Sequence, residues 1–284
     1  MKLARFTENG TTRIGKVLGN QIVDLTSVTG TGTGSSMRAL LERLPELRPA
    51  LEACEGPGFA LADVRLETPI VDPQKFLALG MNYQAHADEA AAAGIKTPSS
   101  QLWFNKQVSC IVGPSDDVVR YAVSDELDYE AELAYVIGRK CRDVKAADAH
   151  SVIAGYLVCN DVSVRDWQHR APTYTLGKSF DTHGPIGPWI TTSDEIPNPE
   201  DLEIKLTVDG VVRQHARTND LIYGIAAQIE YLTTVMTLYP GDVIATGTPS
   251  GVAAVDRNWL KPGQVCRVEI EGLGVLENRI VQQS

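Results

Sequence analysis

Four short segments of this chain gather side chains that could do chemistry. The first is Asp128-Tyr129-Glu130-Ala131-Glu132-Leu133-Ala134-Tyr135-Val136. On a strand, alternate residues share a face. Asp128, Glu130 and Glu132 then fall on one side, and Tyr129, Leu133 and Tyr135 on the other. Neighbouring carboxylates repel, and a hard divalent cation resolves the repulsion, because Mg²⁺, Mn²⁺ and Ca²⁺ take oxygen ligands. Asp161, directly after the apolar run YLVCN, offers a third carboxylate at a strand end. Two Glu and one Asp leave positions open for water and a chelating substrate. The plainer alternative is a solvent-facing acidic strand. The apolar run that follows at residues 133–137 argues against it.

The second segment is Asn82-Tyr83-Gln84-Ala85-His86-Ala87-Asp88-Glu89. On a helix, His86 and Glu89 stand at i and i+3 and meet. A carboxylate there orients the imidazole and stabilises its protonated form, which makes His86 a competent general base. An exposed polar helix with an incidental histidine is the alternative. The following run EAAAAGIKTPSS has the small, glycine-interrupted composition of a lid. The third segment pairs Arg165-Asp166-Trp167-Gln168 with Leu176-Gly177-Lys178-Ser179-Phe180-Asp181-Thr182. Lys178 could read a substrate carboxylate or a developing enolate, or be an ordinary surface lysine. The fourth, Thr246-Gly247-Thr248-Pro249-Ser250-Gly251, follows the strand-like DVIA. Its N–H groups and hydroxyls could cradle a carboxylate; alone it is a turn.

The elements that must position these residues are mostly strands. ELDYEAELAYVIG, GYLVCNDVSV, IGPWITT, LEIKLTVDG, DVIATG and QVCRVEIEGLGVLENRI read as strands. YGIAAQIEYLTTVMTL has helical periodicity, and KAADAHSVIAG fits a short helix. Strands with few helices between them do not make a βαβ alternation. The expected class is mainly β with peripheral helices (α+β), largely antiparallel and curved. Upstream, KLARFTE, TRIGKVLG and NQIVDLTS read as strands, and SSMRALLERLPELRPALEA as a serine-capped helix. LETPIVDPQKF, with two prolines, reads as a linker. The expected division is therefore 1–72, a small N-terminal domain, and 73–284, the catalytic one. TGTGTGSS at 29–36 mimics a phosphate loop, but it lacks G-K-[ST] and puts Ser35 at the third glycine position. It reads as a connection.

Composition excludes several partners. With 26 Lys plus Arg against 36 Asp plus Glu, the net charge is −10. That gives no overall pull toward nucleic acid or anionic lipid. No apolar run reaches the roughly 18–20 residues of a membrane span. The N-terminus lacks the apolar core of a secretory signal, so a cytoplasmic location is expected. The five cysteines are scattered, with no C-x-x-C pair. They read as reduced packing residues rather than a disulfide framework or zinc site.

Taken in order, the motifs resemble the fumarylacetoacetate hydrolase family. They are Gly80-Met81-Asn82-Tyr83 with His86 and Glu89, Glu130-x-Glu132, Asn160-Asp161, Arg165-Asp166-x-Gln168, Lys178-Ser179-Phe180 and Thr246-Gly247-Thr248-Pro249-x-Gly251. The resemblance covers residues 73–282, and the first 70 resemble the small N-terminal domain of some bacterial members. It implies a mixed β-sandwich roll assembled as a homodimer. It implies metal ligation by Glu130, Glu132 and Asp161, with Mg²⁺ the usual ion and Mn²⁺ or Ca²⁺ also used. It implies a His86–Glu89 dyad on a lid, with Lys178 as the active-site lysine. Substrate contacts fall on Arg165, Gln168 and Thr248, and Thr182 matches a position near the metal in some members. The implied substrate is a small anionic oxo acid. The implied reaction is hydrolysis of a C–C bond in a 2,4-dioxo acid, either acylpyruvate-type or a 2,4-diketo-3-deoxy sugar acid. Two enolate chemistries without water stay open: decarboxylation of an oxaloacetate type and isomerisation of a 2-hydroxy-dienoate. A non-enzymatic binding module for sugar acids or metal is the third reading.

Overall fold

The computed structural model describes residues 1–29, 36–92, 94 and 96–283. Most of the Thr/Gly connection, residues 30–35, lies outside them, as do residues 93 and 95 of the expected lid.

Two sheets form the architecture. A twelve-stranded mixed sheet runs from Gly58–Ala60 through Gln21–Asp24, Thr11–Leu18, Lys2–Glu8, Gly184–Thr192, Ile153–Asn160, Ala131–Ile137, Val243–Ala245 and Phe76–Gly80 to Leu102–Lys106, with Arg65–Glu67 and Ile111–Val112 pairing off this path. A five-stranded sheet holds Val211–Arg217, Glu203–Val208, Val265–Ile270, Gly274–Gln282 and Val118–Arg120. Most pairings are antiparallel, but Val243–Ala245 runs parallel to Phe76–Gly80. The expected mainly-β roll with peripheral helices is what the chain forms.

The strand Ala131–Ile137 lies in the middle and is buried along its whole length. Its side chains alternate between two cores, as the pleat requires. Leu133, Tyr135 and Ile137 pack with Ile204, Leu206 and Val268 of the smaller sheet. Ala134 and Val136 pack on the other side with Leu3, Ile14 and Leu41 from the N-terminal segment. Residues 1–72 thus share a core with the rest of the chain. They share a sheet as well, through Lys2↔Thr191 and Leu3↔Ile190.

Three elements differ from expectation. The acidic segment is not one strand but two, Leu127–Asp128 and Ala131–Ile137. Between them the backbone is paired to side chains: Glu130 N–H donates to Asn160 Oδ1 (3.0 Å) and Ala131 N–H to Gln214 Oε1 (2.9 Å). The helix expected over 35–53 is also two, Met37–Glu42 and Leu44–Ala53. Pro45 has no N–H to give to the carbonyl four residues back, so the ladder breaks there. The short helix expected near 145–155 is a 3₁₀ turn, Ala146–Val152, leading straight into Ile153–Asn160. Among the described residues no helix is long and apolar enough to cross a membrane.

Candidate active site

The break in the acidic segment turns Glu130 and Glu132 toward the end of the neighbouring strand. Asp161 follows that strand directly, and its N–H donates to the Glu130 carbonyl (2.8 Å). One carboxylate oxygen from each of Glu130, Glu132 and Asp161 lies within 4.8 Å of the others, and all three residues are buried. Asp128 stands apart. It accepts from Arg165 Nε (2.8 Å) and from the amides of Ala253 (2.7 Å) and Ala254 (3.0 Å).

Each carboxylate is held differently. Glu130 pairs with Arg165 Nη2 through Oε1 (2.6 Å) and with Lys178 Nζ through Oε2 (2.6 Å). Asp161 pairs with Lys106 Nζ through Oδ1 (2.6 Å) and with Lys178 Nζ through Oδ2 (2.8 Å). Glu132 makes no ion pair among the described residues, and its Oε2 accepts the Gly247 N–H (2.8 Å). Burial pushes the Glu130 carboxyl up, but Lys178 and Arg165 outweigh it and hold it down to about 2. Burial, with Asp161 and Glu130 adding repulsion, pushes Glu132 well above the ordinary range. Three buried carboxylates around one point, one of them without a counter-ion, are a donor set that fits a hard divalent cation.

Beside this cluster lies a cavity of about 160 Å³, lined by Glu130, Lys178, Arg165, Gln168, Thr248 and His86 among others. His86 rides on the helix Gln84–Ala92. Its Nδ1 meets Glu89 Oε2 at 3.1 Å, and Glu89 Oε1 accepts from Gly251 N–H (3.4 Å). A carboxylate oxygen accepts, so Nδ1 carries the hydrogen, which in the neutral ring leaves the lone pair on Nε2. The Arg165 Nη1 group donates to Gln168 Oε1 (2.8 Å). That leaves the amide hydrogens of Gln168 as its donors toward the cavity. Thr248 Oγ1 accepts from Gln214 Nε2 (2.9 Å), so its own hydroxyl hydrogen is the one to give away.

All nine expected site residues therefore sit in or next to one pocket, although they span 162 positions of sequence from His86 to Thr248. Three details add to the expectation. The Thr246–Gly251 turn does cradle a carboxylate, but through Gly247 it is the protein's own Glu132. Arg165 spends its three nitrogens on Asp128, Glu130 and Gln168. Thr182 accepts the Val119 N–H (2.8 Å). Sequence reasoning missed Lys106 and Gln214, whose partners come from distant elements. Asn82, quoted only as part of a motif, is fully buried, and its side chain ties Tyr223 and Thr246 together.

Comparison with known proteins agrees with this geometry. The fumarylacetoacetate (FAA) hydrolase C-terminal family matches residues 75–281. A fumarylacetoacetate hydrolase domain-containing protein 2 homolog of Dictyostelium discoideum is 37% identical over 286 residues, spanning 94% of this chain and 92% of that protein. The maleylpyruvate hydrolase of Sphingobium sp. SYK-6, solved in complex with manganese(II) ion and pyruvate, is 36% identical with a TM-score of 0.85 over 100% of both chains. The 2-hydroxyhepta-2,4-diene-1,7-dioate isomerase of Mycobacterium marinum is 34% identical with a TM-score of 0.80, over 100% of this chain and 99% of that one. The chain belongs to the fumarylacetoacetate hydrolase family.

Proposed function

We propose that the protein is a divalent-metal-dependent hydrolase that cleaves the C–C bond of an acylpyruvate-type 2,4-dioxo acid. The observation that carries this reading is that His86, paired with Glu89, lines the same cavity as Glu130 of the carboxylate cluster. Decarboxylation or isomerisation needs no activated water, whereas hydrolysis does.

A cation held by Glu130, Glu132 and Asp161, with Mg²⁺ or Mn²⁺ the candidates, would act as a Lewis acid and template for the 2-oxo acid end of the substrate. The remaining chemistry falls to the chain's own groups. His86 Nε2 takes a proton from water, and Glu89 stabilises the imidazolium through Nδ1. The hydroxide so formed attacks the carbonyl carbon at C4. The C3–C4 bond then breaks, its electron pair passes into a pyruvate enolate, and the C4 fragment leaves as a carboxylic acid. Lys178 has three N–H donors, two of them on Glu130 and Asp161, and the third serves the enolate oxygen. His86 returns its proton to C3, giving pyruvate. Gln168 and Thr248 donate to the substrate's oxygens, while Arg165 holds Glu130 and Gln168 in place.

The test is a product assay on acylpyruvates and oxaloacetate with Mg²⁺. Hydrolysis yields pyruvate and a second acid, and excess chelator abolishes it; full activity in chelator would sink the metal role. His86→Ala should lower hydrolysis roughly 100- to 10,000-fold while leaving oxaloacetate decarboxylation in place. Equal loss of both activities would remove His86 from water activation. The similarity to the Mycobacterium marinum isomerase favours a second reading, isomerisation of a 2-hydroxy-dienoate, for which a dienoate substrate in the same assay shows a spectral shift and no pyruvate.

A further inference from the structure

Lys106 ends the strand Leu102–Lys106 and is buried, with its side chain fully out of contact with solvent. It does not line the cavity. Its ammonium has three donors, and three acceptors surround it. These are Asp161 Oδ1 (2.6 Å), the Val162 carbonyl (3.3 Å) and the Lys178 carbonyl. Two of the three belong to residues of the candidate site. A lysine buried for stability alone is a poor device, since a buried ion pair is commonly no better than apolar residues of the same volume. Its value must lie in what it orients.

The two paired carboxylates show a common plan. Glu130 gives its Oε1 to Arg165 and its Oε2 to Lys178. Asp161 gives its Oδ1 to Lys106 and its Oδ2 to Lys178. Each has one oxygen held by a cation of its own, and the two remaining oxygens share Lys178. Arg165 lines the cavity, whereas Lys106 stands behind Asp161, off the cavity wall.

We infer that Lys106 is a positioning residue for the metal centre. It fixes the Asp161 carboxylate so that only Oδ2 is presented to the cation, and it pins the Lys178 backbone so that the Lys178 ammonium reaches the same oxygen. This inference rests on reading Glu130, Glu132 and Asp161 as a metal centre. Outer partners of this kind are worth roughly 10- to 100-fold in metal affinity.

The test is titration of the full-length, metal-free chain with Mn²⁺, followed by calorimetry. Lys106→Met should weaken binding by roughly 10- to 100-fold. Lys106→Gln keeps an N–H donor for Asp161 and should recover part of the loss. A role in charge balance alone predicts the opposite sign, because removing a nearby positive charge tightens a cation site. Unchanged or tighter binding in Lys106→Met therefore overturns the inference. Absence of Mn²⁺ binding by the unsubstituted chain would instead overturn the metal-centre reading itself. Thermal melting of the metal-free Lys106→Gln, Asp161→Asn and double variants provides a second arm that does not depend on the Met variant folding. If Lys106 acts through Asp161, the double variant loses less than the sum of the singles. Additive losses overturn the inference.

Discussion

At Glu132 the site carries a carboxylate whose one hydrogen-bond partner among the described residues is the Gly247 amide. Burying such a group near Glu130 and Asp161 costs the metal-free protein stability. Glu132→Gln keeps the shape and an acceptor for Gly247 while removing the charge. The metal-free variant should melt at or above the unsubstituted protein. The rise in melting temperature on adding Mg²⁺ should shrink, because a ligand stabilises only in proportion to its affinity for the folded state. A lower metal-free melting temperature with an intact Mg²⁺ response would mean that Glu132 is structural. Gly247 itself has little freedom to vary. Its φ is +106°, and a Cβ there would lie 2.8 Å from Asn82 Cβ. At this scale the acids, His86 and Lys178 were legible because their types are costly unless used. Lys106 was not legible. One lysine in LWFNKQV looks like any strand-end lysine, and its carboxylate partner lies 55 positions away.

The helix Gln84–Ala92 carries His86 and Glu89, yet it buries only Ala87 and Ala90. So small an apolar face gives it little packing energy. Polar contacts from other elements hold its first turn: Asp220 Oδ2 accepts the Ala85 N–H (3.0 Å), and Tyr83 bridges to Leu221. Asp220 thus acts as a helix cap supplied from elsewhere in the chain. Asp220→Ala should cost about 1 kcal/mol locally, as loss of a cap does. Hydrogen exchange at 84–92 should quicken while the strand Ala131–Ile137 stays protected. Equal protection of the helix in the variant would show that packing, not the cap, holds it. The sequence pattern foresaw the i, i+3 meeting of His86 and Glu89, because helical spacing is local. It did not foresee the break in the acidic strand, whose cause is the side chains of Asn160 and Gln214.

Across the whole molecule, stability depends also on buried groups outside the carboxylate cluster. His183 is completely buried beside Phe180 and Tyr121, and its ring nitrogen Nε2 meets the Val119 carbonyl at 2.8 Å. Its Nδ1 has no partner among the described residues. Burial, against the Val119 contact and with Lys106 assisting, lowers its pKa from 6.5 to about 3. Between those values the unfolded chain binds the extra proton and the folded chain does not, so stability falls as pH drops from 6.5 toward 3. The loss is on the order of 4 kcal/mol when complete. Urea melts of His183→Gln against the unsubstituted protein should show a flatter stability–pH slope between pH 6 and 4. Identical slopes would exclude His183 as the source. The mainly-β class was legible from period-2 segments. The joining of residues 1–72 to the larger sheet was not, since no local pattern marks which distant strand Lys2–Glu8 will pair with. That pairing has a consequence during synthesis. Lys2–Glu8 emerges from the ribosome before its neighbour Gly184–Thr192, which follows some 180 residues later. At roughly 5–20 residues per second, Lys2 and Leu3 wait on the order of 10 to 40 s for that partner, while Arg5–Thr7 on the same edge are covered earlier by Arg65–Glu67. Closing the large sheet is therefore a late event in the birth of the chain, and the start of the first strand stays an open edge until then.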